Sequence, residues 1–518
     1  MRLLFAAGLA GFAVLAVEIV GVHQLAPWFG ASALVWSNQI GIVLLAMAAG
    51  GWLGGARARA TADPVLLAGR LLLVAGVLLA AGVVLLPLLA GWLLPDFLRL
   101  EEAAAVFRGG SLAAALLFCA PPVFLLAMVT PLLVEARAAQ QGAGRAAGDL
   151  YAAGTAGSLA GVFGTTWLAL PFLGVRVTLL LTGVALVLAG LLLTTRPRRQ
   201  AWRVALPLLP LLLADPAENA NLPPDGAGGV PRVLRVQETP YQRLRVLEFG
   251  SGERWLQMNE GLDSYQSVWR PGSAWPGGYY DLFVLAPVYA LEGRDGAAAV
   301  RFWSLGFGAG AWTAPVAAAL EGRDWSAVGV ELDPGVVALG TELLPLHPEL
   351  RPRVQVVTGV DARALLRAAP PDLDFVLLDA YTRQFELPPH LATEEFFAEV
   401  FRHLRSGGVL AVNVGAARRP GAAETLLDAL RAAVGASFGT NVRLHTVPAT
   451  RNAVLFARKE RPFPDAATLA QLLPENVPYA VGAACMPERT LDGVPAQARR
   501  FTDDRNAVML AQLRLWLE

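Results

Sequence analysis

Apolar positions along this chain follow two rhythms. Up to residue 214 they form long, nearly unbroken runs; from about Val230 they shorten into segments that alternate or stand between helix-like stretches. Crossing about 30 Å of hydrocarbon takes roughly 20 apolar residues in a helix. The runs Leu3–Val22, Ala33–Leu53, Leu66–Leu89, Leu112–Leu133, Ala152–Leu173 and Val177–Thr194 reach or approach that length and predict six spans within a transmembrane domain over residues 1–214. The first run follows Arg2 in the manner of a signal peptide, but Glu18 within it and the spans behind it favour a retained anchor. A further apolar stretch, Val204–Ala214, has only 11 residues and contains Pro207 and Pro210. Its length predicts an interfacial or re-entrant segment rather than a crossing.

Beyond a linker at 215–229 the pattern becomes that of a folded aqueous domain. Val233–Glu238, Arg243–Phe249 and Arg254–Asn259 are β-rich and separated by turn residues, which predicts a small antiparallel sheet within 230–290. Over 291–518, short apolar strands at Val300–Leu305, Ser326–Glu331, Val354–Thr358, Phe375–Asp379 and Val409–Val414 alternate with helical segments at Ala311–Leu320, Pro334–Leu343 and Thr393–Leu404. That alternation predicts an α/β Rossmann-like domain with a mostly parallel sheet. Val442–Val447 and Ala453–Ala457 extend the sheet, and Asn506–Leu517 reads as a C-terminal amphipathic helix.

Composition agrees with this division. The chain is 55% hydrophobic and 16% charged, against about 25% charged in a typical soluble domain. Its formal net charge of zero excludes a strongly basic nucleic-acid binder. The zero is also a cancellation. Up to Ala214 there are thirteen arginines against seven acids, a net of +6, and the remainder carries −6. Arg2, Arg57, Arg59, Arg70, Arg137, Arg145, Arg196, Arg198, Arg199 and Arg203 flank alternate span ends, while Arg99, Arg108 and Arg176 fall on the other side. The positive-inside rule then puts the N-terminus and the segment after span six in the cytoplasm. With 204–214 not crossing, the second half is expected to be cytoplasmic as well. The two cysteines, Cys119 and Cys485, lie far apart, and no Cys/His cluster has metal-ligand spacing.

Two features of the membrane half stand out. Glu18 is a carboxylate inside an apolar span, where charge is costly and often functional, though pairing with a neighbouring helix or protonation is the more ordinary account. In GDLYAAGTAGSLAG, Gly154, Gly157 and Gly161 suit close helix packing. Asp149 stands at the start of that span, where negative charge is favourable.

The chemistry-bearing residues collect after the parallel strands, where such folds bind ligands. Gly306-Phe307-Gly308-Ala309-Gly310 follows the first strand and permits a tight turn with close backbone approach. The second strand ends in Glu331, placed to accept both ribose hydroxyls; the third leads to Asp361, for which a helix N-cap is an equal reading; the fourth ends in Asp379. The glycine loop lacks the third glycine of the pyrophosphate fingerprint, and the region has no Walker lysine. Together these point to a nucleoside with an amino-acid-like tail, such as S-adenosylmethionine or a derivative.

The same residues resemble the spermidine synthase (polyamine aminopropyltransferase) family, and the chain resembles its membrane-fused bacterial branch. The resemblance rests on ETPYQ (Glu238–Gln242), NEGLDSYQS (Asn259–Ser267), YYDLFVLAP (Tyr279–Pro287), the glycine loop, VELDP, LLDAY, LPPHLATEEFF, LRSGGVLAVNV and FTDDRN. In the membrane half it rests on VEIVGVHQLAPWFG and GDLYAAGTAGSLAG. It implies a multi-pass protein of the bacterial inner membrane using decarboxylated S-adenosylmethionine and a small amine acceptor such as putrescine, with no metal. Gln242 and Glu331 then hold the nucleoside with Gly306, Gly308 and Gly310, Asp361 contacts adenine, and Asp379 assists deprotonation of the amine. Gln266, Tyr280 and Tyr381 line the acceptor pocket. Lipid is the partner of the spans, and a homo-oligomer is compatible with the resemblance.

Two positions depart from the pattern. The family's loop acid is replaced by Ala309, and the acid three residues after the catalytic one by Thr382, with Arg383 following. Glu386 or Asp263 would have to compensate. These departures keep two alternatives open: a methyltransferase or other transferase using intact S-adenosylmethionine on a membrane-associated substrate, and a non-catalytic polyamine or nucleoside sensor or transport component.

Overall fold

A computed structural model describes the chain except for residues 30–32, 94–108, 195–199, 214–218, 220–221, 227, 260–264, 382–386, 416–425, 449, 451, 496–497, 499, 505–507 and 509–518. The expected C-terminal helix and the residues Asp263, Thr382, Arg383 and Glu386 therefore lie outside the described residues. The chain forms two compact units. The first is Met1–Pro224 with Arg235–Arg245 and Asn259–Asp263; the second is Asp225–Leu234, Val246–Met258 and Ser264–Glu518.

The first unit is an α-helical membrane domain. Among the described residues five helices are long and apolar enough to cross a membrane: α1 (Arg2–Phe29), α2 (Val35–Ala60), α3 (Pro64–Ala90), α4 (Gly109–Gln141) and α5 (Ala143–Leu192). The last has 50 residues and would measure about 75 Å if straight, more than twice the hydrocarbon thickness. Gly174 breaks it with φ +72°, ψ 176°, and the chain returns. On the outward leg Gly157 meets Gly8 and Gly161 meets Phe12 of α1; on the return leg Gly183 faces Gly76 and Gly190 faces Gly69 of α3. The expected fifth and sixth spans are these two legs. The glycines of GDLYAAGTAGSLAG do what their size allows, bringing α1 and α5 backbones together. Asp149 lies inside α5 rather than at its start, and it pairs with Arg137 of α4 at 2.8 Å.

The apolar stretch at 204–214 falls largely in a 3₁₀ helix, α6 (Ala201–Leu212), packed against α3 and α5. Its rise of about 2.0 Å per residue lets 12 residues cover about 24 Å, which an α-helix of that length does not.

The small antiparallel sheet is β1 (Arg232–Glu238), β2 (Arg243–Glu248), β3 (Arg254–Met258) and β4 (Ser267–Trp269), in that order. The second unit continues with α7 (Tyr279–Leu282), α8 (Leu285–Leu291), β5 (Val300–Leu305), α9 (Thr313–Ala318), β6 (Trp325–Glu331), α10 (Pro334–Leu343), β7 (Val354–Thr358), α11 (Ala362–Leu366), β8 (Leu373–Leu378), α12 (Glu394–His403), β9 (Leu404–Val414), α13 (Leu426–Phe438), β10 (Val442–Thr446), β11 (Ala453–Arg458) and β12 (Thr490–Asp492). Its sheet order is β12-β10-β11-β9-β8-β5-β6-β7. Strands β5 to β9 pair in parallel, and β10, β11 and β12 close the sheet antiparallel. The chain runs outward from β5 through β6 to β7, then returns to β8 on the other side of β5. That reversal is the topological switch point at which such sheets open a crevice.

The core explains the strand pattern. Phe375 and Leu377 of β8 bury with Phe302 and Val409 on one face, and Val376 and Leu378 with Leu305 and Val412 on the other. A sheet covered on both faces reads as a continuous apolar run, as FVLL does.

Candidate functional site

Strands β5 and β8 deliver the two sides of the crevice. The Gly306 turn leaves β5 with φ +92°, a conformation that suits glycine. A Cβ there would strike the Asp379 carbonyl. Asp379 follows β8, and its N–H donates to the Leu305 carbonyl at 2.8 Å. Loop and carboxylate are thus locked together. Gly308 and Gly310 also have positive φ. The Gly308 N–H donates to Glu331 Oε2 at 2.9 Å, and the Ala309 N–H to Ser267 Oγ at 2.8 Å.

Glu331, at the end of β6, also accepts from the Asp333 N–H at 3.1 Å. Burial pushes its carboxyl up to about 7, against the lowering effect of these backbone donors. Asp361 does act as an N-cap: its Oδ1 accepts from the Arg363 and Ala364 N–H groups, each at 3.0 Å. Its other oxygen, Oδ2, is 2.8 Å from His390 Nε2. Although burial opposes it, the α11 amides and His390 hold this carboxyl below its ordinary value. The two oxygens of Asp361 thus have separate partners, the α11 amides and His390. Arg363 is gripped by Glu399 at 2.9 Å and by Asp503 of the FTDDRN motif at 2.8 Å, which fixes the first turn of α11.

Asp379 is half-buried. Asn413 Nδ2 donates to its Oδ1 at 2.8 Å, and the Tyr279 hydroxyl donates to its Oδ2 at 3.2 Å. Burial raises its carboxyl to about 6, more than these two hydrogen bonds lower it. Asp374, the second residue of β8, differs sharply. It is paired with Arg294 and with Arg405, the latter at 2.6 Å. A buried carboxylate held by cations is a structural anchor. One held by an amide and a phenol, near pH 6, is poised to take a proton.

The residues expected around the acceptor have definite partners. The Tyr280 hydroxyl donates to the Gln266 backbone carbonyl at 2.8 Å, and it is Tyr279 that touches Asp379. The Tyr381 hydroxyl donates to the Asn413 carbonyl at 2.7 Å and accepts from the Gly415 N–H at 2.9 Å, so it braces the end of β9. Asn452 Nδ2 in turn donates to Asn413 Oδ1 at 3.0 Å. Gln242 is buried next to the Thr239–Gln242 turn and belongs to the first compact unit, whereas Gln266, Glu331, Asp361 and Asp379 belong to the second. Sequence reasoning missed Asn413, Tyr279, Ser267 and His390. A signal existed for Asn413, a lone amide at the end of an apolar strand, and for Tyr279, half of a YY pair.

Among the described residues no group of three or more His, Cys, Asp or Glu is arranged to hold a metal, and both cysteines are free thiols.

A protein of Bifidobacterium longum described as a probable polyamine aminopropyl transferase is 29% identical over 223 residues, 43% of this chain and 46% of that protein. Over that stretch this chain is similar to that protein. The match spans about half the length of that relative. Among solved structures, a probable spermidine synthase from Corynebacterium glutamicum is 17% identical with a TM-score of 0.39, covering 52% of this chain and 96% of that one. Spermidine synthase from Thermotoga maritima is 16% identical with a TM-score of 0.36, covering 50% and 85%. No protein-family model matches the sequence.

Proposed function

We propose that this chain is a membrane-anchored aminopropyltransferase of the bacterial cell membrane, moving an aminopropyl group from decarboxylated S-adenosylmethionine to a small amine such as putrescine. The observation that carries the reading is Asp379, a carboxylate raised toward pH 6 at the switch point and held by the Asn413 amide and the Tyr279 hydroxyl. The acceptor nitrogen attacks the propyl methylene bonded to the sulfonium. The C–N bond forms, the C–S bond breaks, and sulfur keeps the electron pair as a neutral thioether. The nitrogen's surplus proton passes to Asp379. An ammonium has no lone pair, so deprotonation and alignment are the protein's main tasks.

In this reading Glu331 accepts the ribose hydroxyls and Asp361 the adenine amine. The Gly306–Gly310 backbone lies under the nucleoside. Gln266, Tyr280 and Tyr381 belong to the acceptor side, Tyr280 and Tyr381 by bracing it, and Tyr279 joins Asp379 directly. A homo-oligomer forms part of the proposal. The arginine-flanked helix ends mark the cytoplasmic face.

The test uses the purified full chain in detergent. Mass spectrometry of putrescine with the decarboxylated donor should show a product one aminopropyl unit heavier, absent with Asp379→Asn. Calorimetric binding of the carboxylated nucleoside alone, or transfer of a methyl group, overturns the reading and favours the methyltransferase alternative, for which the loss of a loop acid at Ala309 is the supporting observation.

A further inference from the structure

We infer that α6 is a seventh membrane crossing, so that the chain leaves the helical bundle on the face opposite the arginine-rich loops. This goes beyond the transferase proposal and rests only on the helical half lying in a membrane. The arginine face is well marked. Arg57 and Arg59 end α2, Arg70 lies near the start of α3, and Arg137 near the end of α4 pairs with Asp149, two turns into α5. The return leg of α5 comes back to that face, because Gly190 meets Gly69 of α3.

From there α6 retraces the return leg in reverse. Val204 packs with Leu73, Val187 and Leu191. Pro207 reaches Gly183, where a Cβ would stand 3.3 Å from the proline Cβ. At the far end the Arg176 guanidinium donates to the Pro210 carbonyl and, at 2.6 Å, to that of Leu213. Contacts moving from Leu191 to Arg176 cover about 22 Å of helix axis. A segment lying in the interface would cross the helix ends rather than follow one helix along its length. The end point is fixed independently: Leu213 lines a cavity of about 190 Å³ with His23, Trp28, Pro87 and Arg176, at the ends of α1 and α3 remote from Arg2 and Arg70.

The chemistry of α6 suits hydrocarbon. Pro207 and Pro210 face the bundle, while Leu209, Leu211, Leu212 and Leu213 are exposed, Leu212 at 84%. In lipid these leucines meet acyl chains. Pro207 and Pro210 have no N–H to satisfy, and Arg176 supplies donors to two carbonyls at the C-terminal end, where a cation is favourable. Arg203 lies over Trp202 at 5.8 Å, an aromatic and basic pair of the kind that anchors an interface.

The test places single cysteines at two exposed positions of the full chain, Gln141→Cys at the end of α4 and Glu321→Cys in the second half, with Cys485→Ser removing the half-buried thiol. Spheroplasts are treated with a membrane-impermeant maleimide before or after lysis. The expected result is opposite behaviour: Glu321→Cys reacts on intact spheroplasts, and the Gln141→Cys signal is lost unless they are lysed. Both positions reacting under the same condition overturns the crossing. Protease added to spheroplasts carrying the unmutated chain gives a second reading, since it should remove the second half while leaving the helical half protected; survival of the full chain overturns the proposal. Transferase activity is assayed on purified protein, so the two proposals fail separately.

Discussion

The Asn413 side-chain amide donates to Asp379 Oδ1 at 2.8 Å from the adjoining strand. The pairing of Leu378 with Val412 sets this up, because it brings the residues that follow, Asp379 and Asn413, side by side. Asp379→Asn should abolish aminopropyl transfer while leaving nucleoside binding within about threefold. The pH dependence has a definite sign. The folded carboxyl lies near 6, above its ordinary 3.8, so folding binds the proton more tightly. Stability from this group is present at low pH and is lost as pH rises through about 6. Asp379→Asn should therefore melt about 1 kcal/mol more stably than the parent chain at pH 8, after allowance for partial exposure, and about equally at pH 4. Melting curves at both pH values check it. With the unmutated chain, kcat/KM should fall as pH drops below about 6, where the base becomes protonated.

The two oxygens of Asp361 separate two roles. Oδ1 caps α11, and Oδ2 faces His390. Asp361→Asn retains a capping oxygen, so its stability should match the parent chain, whereas Asp361→Ala should lose about 1 kcal/mol. Both should weaken nucleoside binding if the carboxylate reads adenine. Calorimetry together with thermal melts resolves the roles: unchanged affinity in both variants leaves Asp361 as a cap alone.

Gly306 sits at a closure where the backbone excludes any side chain. Its φ is +92°, and an added Cβ meets the Asp379 carbonyl. Gly306→Ala should cost about 2 kcal/mol or more, combining strain with displacement of β8 from β5. Nucleoside affinity and turnover should both fall, since loop and base move together. A melting temperature equal to that of the parent chain overturns this account.

How much of this was legible follows from what kind of information each feature needs. The alternation of apolar strands and helices, and acids placed at strand ends, are local patterns. They led to β5–β8, Glu331, Asp361 and Asp379 with boundaries within a few residues. Asn413 and Tyr279 become site residues only through sheet register and through a helix distant in sequence, and local patterns carry neither. β12 is three residues long at a sheet edge, too short for periodicity. The 3₁₀ form of α6 eluded sequence reading for a physical reason: a short apolar run interrupted by two prolines carries no periodicity that separates a 3₁₀ from an α-helix.

Ala309 offers the sharpest test of donor identity. It is buried, with its N–H on Ser267 Oγ and its Cβ against Gly340 of α10. In the family pattern an acid at this place meets the amine of the aminopropyl donor, and a charge-assisted hydrogen bond of that kind is worth about 1.5–3 kcal/mol. Ala309→Asp should therefore improve affinity for the decarboxylated nucleoside relative to the carboxylated one by roughly tenfold, since the new charge attracts the amine of one and repels the carboxylate of the other. The same substitution crowds Gly340, and overpacking of this order costs about 1–3 kcal/mol, so a lower melting temperature should accompany the gain. Calorimetric titration of both nucleosides against the parent chain and the variant measures the ratio directly. An unchanged ratio in a folded variant means that the donor's amine does not lie at Ala309, and the aminopropyl reading then loses its orientation of substrate in the crevice.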